Sequence, residues 1–402
     1  MIALFTLGAA LAAPVSVRVC AQYNLQLTDA SPAVGDDFLN ESGVTKALGV
    51  RLRVANASTG AVIFDDFAED SGTHAGCTAS SLTLDSATYY TVRMYTRVRI
   101  GTNVVQLIPN GNYSFGPAAK KFPLGGASTY TLTSPVGPQW NIMGVAALAL
   151  SRHDGNLENE TFEFLYQEDY DTNAFTGSFV AIDKQGGLLK YVIAHEMGHM
   201  VSARLGGVAN NDPSLNVEPC AVLDPNNGEH AWESKEYQST AYWEGLAHFY
   251  AASSFNSESG GDCWFSYYKP TDWNHDGVID PTRLETDNSV VSCLTGPTYQ
   301  SATDHLGHFC AGWPSKHVGM EFDWLRFFWD TAANSGMDYE EHAWIYSLSD
   351  GPSWDKALPI CNTTSQPPSC PDAPTSRLSG AALTSGYGTL WAVMTAIHGV
   401  DQ

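Results

Sequence analysis

The stretch Ile193–Gly207, "IAHEMGHMVSARLGG", places two histidines four residues apart with a glutamate directly after the first. Read as a helix, it stacks His195 and His199 on one face, a spacing at which both imidazoles reach one Zn²⁺, with Glu196 turned toward a water beside that ion. Helix is the reading because Gly186–Gly187 break the chain upstream, "LLKYVIA" leads in, and Gly206–Gly207 stop it. A catalytic zinc takes three protein ligands and leaves a fourth position for water, so the architecture turns on where the third ligand lies.

Two completions fail. In the metzincin pattern a glycine three residues after the second histidine breaks the helix and a third histidine follows, but Ser202 and Leu205 occupy those positions. No downstream aspartate in a GTxDxxYG-like turn is present either. A glutamate on a separate helix remains, and "YWEGLAHFYA" offers Glu244 among alanine, leucine and aromatic residues. An unpaired carboxylate on so apolar a helix is costly to bury, and metal ligation offsets that cost. His248, one turn further on, is the rival ligand, or an imidazole that hydrogen-bonds a ligand histidine from outside.

On these residues the chain resembles the gluzincin metallopeptidases, the thermolysin- and aminopeptidase-like group. HEMGH matches their HExxH, and WEGLA looks like the stretch that carries their zinc-binding glutamate. Trp243 departs from the pattern, since many relatives place asparagine there, and the connection between the motifs is longer than usual, with "NNDPSLNVEPCAVLDPNNGEH" the candidate insertion. The resemblance covers the two short motifs. It implies zinc held by His195, His199 and Glu244, Glu196 as general base, and a protein or peptide substrate; endopeptidase action is the expectation, with exopeptidase action the alternative if loops close one end of the cleft. It also implies an oxyanion donor downstream of the third ligand, for which His305, His308, His317 and Tyr339 are candidates.

Upstream the pattern changes. "GVRLRVAN", "AVIFDDFA", "SLTLD" and "YYTVRMYTRVRI" alternate apolar and polar residues between turn-formers such as "ASTG", which predicts strands. Their number and spacing predict an antiparallel β-sandwich, loosely similar to carboxypeptidase-regulatory-like and immunoglobulin-like accessory modules. The Gly/Pro/Ser-rich passage 110–140 marks its end. The expected fold class is therefore α+β: an accessory β-sandwich over 13–134, then a mostly helical zincin-type catalytic domain over 135–402. Further helices are expected at "STAYWEGLAHFYAASS" and "GMEFDWLRFFWDTAAN", the second with its aromatic residues in the core.

Composition narrows the partners. The 402 residues carry 20 Lys+Arg against 43 Asp+Glu, a formal charge of -23, which repels a phosphate backbone and excludes nucleic acid. Residues 1–12 read as a secretory signal ending in Ala10-Leu11-Ala12, and no other run is apolar for long enough to span a membrane. Eight cysteines without a CxxC pair predict disulfides, with Cys20–Cys77 and Cys361–Cys370 as candidate pairs, in keeping with an extracellular protein. Sequons stand at Asn40, Asn56, Asn112, Asn159 and Asn362.

"DWNHDGVID" places Asp272, Asn274 and Asp276 at alternate positions, then Gly277, the Val278 carbonyl and Asp280, the first part of an EF-hand-type loop for Ca²⁺. Arg283 stands where the bidentate acid belongs, and Glu285 is the substitute. Two rival readings are a non-catalytic extracellular binding or adhesion protein on a degenerate peptidase fold, and a zinc hydrolase of a non-peptide bond. Glu196 speaks against the first, because a structural zinc needs no acid there.

Overall fold

The computed structural model describes residues 13–27, 42–108, 113–126, 128–153, 156–168, 174–175, 178–206 and 236–256, together with 264–265, 291–292, 318–319 and single positions between 325 and 342. The described residues form two compact units. The first is drawn from Met1–Gln26, Ser42–Ser151 and Glu158–Leu165, the second from Leu27–Glu41, Arg152–Leu157 and Tyr166–Gln402.

In the first unit, β1 (Pro14–Gln26) is the spine of one sheet. It pairs antiparallel with β2 (Ser42–Lys46) and β5 (Leu82–Asp85), and parallel with β10 (Thr129–Thr133). A second sheet runs from β4 (Val62–Phe67) through β3 (Val50–Asn56), β6 (Tyr89–Ile100) and β7 (Asn103–Ile108) to β11 (Thr161–Tyr166). The short strands β8 (Ser114–Phe115) and β9 (Lys120–Lys121) pair with β6. Side chains alternate across each pleat. Val50, Leu52 and Val54 of β3, Val92, Met94 and Val98 of β6 and Val105 and Leu107 of β7 are buried, while Arg51 on the other face pairs with Asp65 at 2.9 Å.

The β3–β4 turn shows how local chemistry sets register. Asn56 Oδ1 accepts from the backbone N–H groups of Ser58 and Thr59, and Gly60 takes φ 73°, a left-handed position where a side chain is disfavoured. Cys20 and Cys77 are disulfide-bonded, tying β1 to a loop 57 residues away.

Helix α1 (Pro138–Arg152) lies on β1. A Cβ at Gly144 would stand 2.9 Å from Leu25 Cδ2 and 3.2 Å from Tyr23 Cδ2, so glycine permits the approach. Asn141 then pairs with the Gln26 backbone in both directions, its amide donating at 2.7 Å and its oxygen accepting at 3.0 Å.

The second unit contains the hairpin β12 (Ala174–Phe175) and β13 (Val180–Ile182), α2 (Lys190–Gly206) and α3 (Gln238–Phe255). It also contains two two-stranded pairs. One joins β14 (Glu236–Tyr237) to β17 (Val318–Gly319), the other β15 (Trp264–Phe265) to β16 (Val291–Ser292). Leu325, Phe328 and Ala332 are helical and buried, and the Phe328 ring lies 5.9 Å from that of Phe249 on α3.

The expected fold class requires correction. Over the described residues strand exceeds helix, 39% against 29%, and beyond Pro135 the described elements with full ranges are three α-helices and seven strands, so the described fold is sheet-rich and not built on the mostly helical catalytic domain expected. Two- and three-residue strands are too short for alternation to be legible, whereas apolar, glycine-bounded helices are conspicuous. The first region is not purely antiparallel either, because β1–β10 and β7–β11 pair in parallel. Such pairs join segments distant in sequence, and no turn between neighbouring strands announces them.

Candidate metal centre

α2 begins after a compact 3₁₀ turn, Gly186–Leu188, held by Asp183, whose side chain accepts from Gly186 N–H and whose carbonyl accepts from Gly187 N–H. The helix is buried on every side: Val192, Ile193, Ala194, Met197, Met200 and Val201 are each 0% exposed. A helix so enclosed needs a reason to carry His195, Glu196 and His199, all buried as well.

That reason lies on α3. At the crossing of α2 and α3 a Cβ on Gly198 would stand 2.8 Å from Tyr250 Cβ and 3.1 Å from Ala247 Cα. Only glycine lets the helices meet this closely, and the approach delivers Glu244 to the histidine pair. Glu244 Oε2 lies 3.1 Å from His195 Nε2 and 3.2 Å from His199 Nε2, and the two nitrogens are 3.1 Å apart.

The triangle suits a metal ion. Tetrahedral bonds of about 2.0 to 2.1 Å subtend ligand–ligand edges of about 3.3 to 3.4 Å, close to the three observed edges. The charge states agree. Burial, reinforced by repulsion from His248 and His199, lowers the His195 pKa to about 3 despite the opposing pull of Glu244, so the ring is neutral and has a lone pair to offer. Two imidazoles and a carboxylate converging in a buried space present acceptors that a cation satisfies together. His195, His199 and Glu244 form a buried group able to hold a metal ion.

The surrounding residues hold the helices in place. Tyr339 donates its hydroxyl to the Gly198 carbonyl at 2.7 Å, and burial raises its pKa above the ordinary phenol value. Its ring packs edge-on against Tyr250, centroids 4.7 Å apart, and Tyr250 in turn donates to the His153 carbonyl. The structure thus places Tyr339, one of the oxyanion candidates, against the backbone of α2. His248 does not join the ligand triangle. Its Nδ1 lies 3.1 Å from His195 Nδ1, on the side of that ring away from Glu244. Trp243 stacks on His199, centroids 5.1 Å apart at 18°.

Sequence reasoning named His195, Glu196, His199, Glu244 and His248, but it missed the stacking role of Trp243 and the crossing at Gly198. A glycine inside an apolar helix was the available signal for the latter. The calcium-loop residues Asp272, Asn274, Asp276, Val278, Asp280 and Glu285 lie outside the described residues, as do His305, His308 and His317, segment 1–12 and the six cysteines other than Cys20 and Cys77. No helix among the described residues is long and apolar enough to cross a membrane. No protein-family model matches the chain, and no curated protein matches it significantly.

Proposed function

We propose that the protein is a zinc-dependent hydrolase of peptide bonds, a secreted endopeptidase of gluzincin-like arrangement. The observation that carries the reading is the buried convergence of His195, His199 and Glu244, with Glu196 following His195 on the same helix. His195, His199 and Glu244 would hold Zn²⁺. When bound, the ion supplies Lewis acidity, polarising a carbonyl and lowering the pKa of water toward ~7.

Glu196 has the base's part. Its carboxylate accepts a proton from the attacking water as oxygen bonds to the carbonyl carbon, then passes that proton to the amine nitrogen as the C–N bond breaks. Burial keeps competing water away from that carboxylate and strengthens its interaction with the reacting groups. His195, held neutral, does not compete for the proton.

The test is a peptide-library or casein digest with and without 1,10-phenanthroline, its products read by mass spectrometry. Chelator-sensitive cleavage is expected. Glu196→Gln should retain stoichiometric Zn²⁺ and lose at least ~10²-fold in kcat, the scale at which a positioned general base contributes. No cleavage of any peptide by a zinc-loaded protein, or full turnover by Glu196→Gln, refutes the reading.

A further inference from the structure

We propose that Trp243 and His248, which flank Glu244 on α3, are positioning residues that each fix one histidine ligand of α2, so that the six residues Trp243–His248 supply a metal ligand and the orienting contacts of the other two. The proposal rests on the metal-binding reading of His195, His199 and Glu244.

His248 acts on where the His195 ring carries its proton. His195 Nε2 faces Glu244 Oε2 and His199 Nε2, so this nitrogen must present its lone pair to an ion. A neutral imidazole carries one N–H, which then belongs to Nδ1. At 3.1 Å from that nitrogen stands His248 Nδ1, which must therefore accept, leaving the proton of His248 on its own Nε2. One contact thus sets two tautomers. Outer partners that accept from a ligand histidine are usually carboxylates or carbonyls. An imidazole acceptor does the same work without adding a negative charge to the buried site.

His199 is oriented by a different contact. Its ring lies nearly parallel to the Trp243 indole, at 5.1 Å and 18°, while its Nε2 points to Glu244 Oε2. The electron-rich indole face favours a ring whose electrons are drawn toward a cation, and its breadth restricts rotation about χ2. Since Glu244 follows Trp243 directly and His248 lies one turn on, any shift of α3 moves ligand and both supports together.

The experiment measures Zn²⁺ affinity by chelator competition for the wild-type chain and for Trp243→Leu, His248→Phe and His248→Asn. Alongside these it reads the tautomer of His195 in the wild type by long-range ¹H–¹⁵N NMR, and the d–d bands of the Co²⁺-loaded forms. Losses of about 10- to 100-fold are expected for His248→Phe and Trp243→Leu. His248→Asn, whose amide oxygen can accept, should recover most of the affinity, the Co²⁺ bands should shift in the weakened variants, and wild-type His195 should carry its proton on Nδ1. Wild-type affinity and unshifted bands in both weakened variants overturn the proposal, and a proton on His195 Nε2 overturns its His248 half even if that variant does not fold. A wild-type chain that takes up no metal refutes the metal centre itself.

Discussion

Gly198→Ala tests the helix crossing on which the site depends. The added methyl carbon would meet Tyr250 Cβ at 2.8 Å, Ala247 Cα at 3.1 Å and Tyr250 Cγ at 3.1 Å, against ordinary contacts of 3.4 to 4 Å. Two of these atoms sit at or beside the backbone of α3 and cannot swing aside, so the helices must part by about 0.6 Å (3.4 minus 2.8) at the tightest point. Carried to the site, that shift opens the edges between Glu244 and the histidines from 3.1 and 3.2 Å toward about 3.7 to 3.8 Å, beyond the span of tetrahedral bonds near 2.0 to 2.1 Å. Overpacking of this kind costs about 1–3 kcal/mol, and the better helix propensity of alanine returns about 1. The expected net is a destabilisation of about 0–2 kcal/mol in the metal-free protein, with a much larger loss in zinc affinity. Thermal melts with and without excess Zn²⁺ separate the two, because an ion that binds only the folded state raises the midpoint by mass action. A Gly198→Ala protein whose melting rises with Zn²⁺ as much as the wild type's would refute the claim that the crossing sets the ligand distances.

Two further outcomes follow from groups described above. Replacing Cys20 and Cys77 by serine frees a loop closed over 57 residues, which on the chain-entropy argument removes about 4 kcal/mol, read as a lower urea midpoint that reducing agent reproduces in the wild type. His342 is buried against Phe249 and Phe328, and burial lowers its pKa to about 3 from the ordinary 6.5. The unfolded chain therefore binds the proton first as pH falls. The stabilisation is fully present above pH 6.5 and is lost from there down through pH 3, at up to about 1.4 kcal/mol per pH unit. His342→Leu should flatten the acid limb of the stability profile measured by denaturant titration, and an unchanged limb would place that sensitivity elsewhere.

What could be read from the sequence depended on how local the determining physics was. β3, β5 and β6 stand where "GVRLRVAN", "SLTLD" and "YYTVRMYTRVRI" alternate, because one face of each pleat is buried and the other is not, while β4, at "AVIFDDFA", buries neither face. α2 and α3 also stand where glycine boundaries and apolar runs placed them. His195 and His199 were legible from spacing, and Glu244 from the oddity of an acid on an apolar helix. α1 was not, since its apolar residues surround the helix without a stripe, and only contact with Tyr23 and Leu25 explains Gly144. The parallel partners of β1 and β7 come from distant segments, so neither pairing leaves a local trace. The tautomer of His195 and the plane of His199 are set by contacts across two helices, a level of detail no periodicity encodes.

The hydroxyl of Tyr339 on the Gly198 carbonyl also bears on the order in which the site can form. Glu244 reaches His199 across 45 residues, whereas Tyr339 reaches Gly198 across 141. Closing the longer loop costs about 1 kcal/mol more in chain entropy by the logarithmic scaling of loop closure, and during synthesis it must wait until the ribosome has emitted the later segment. The three ligands can therefore meet on a nascent chain before their brace exists, and the brace is added only once synthesis has passed Tyr339.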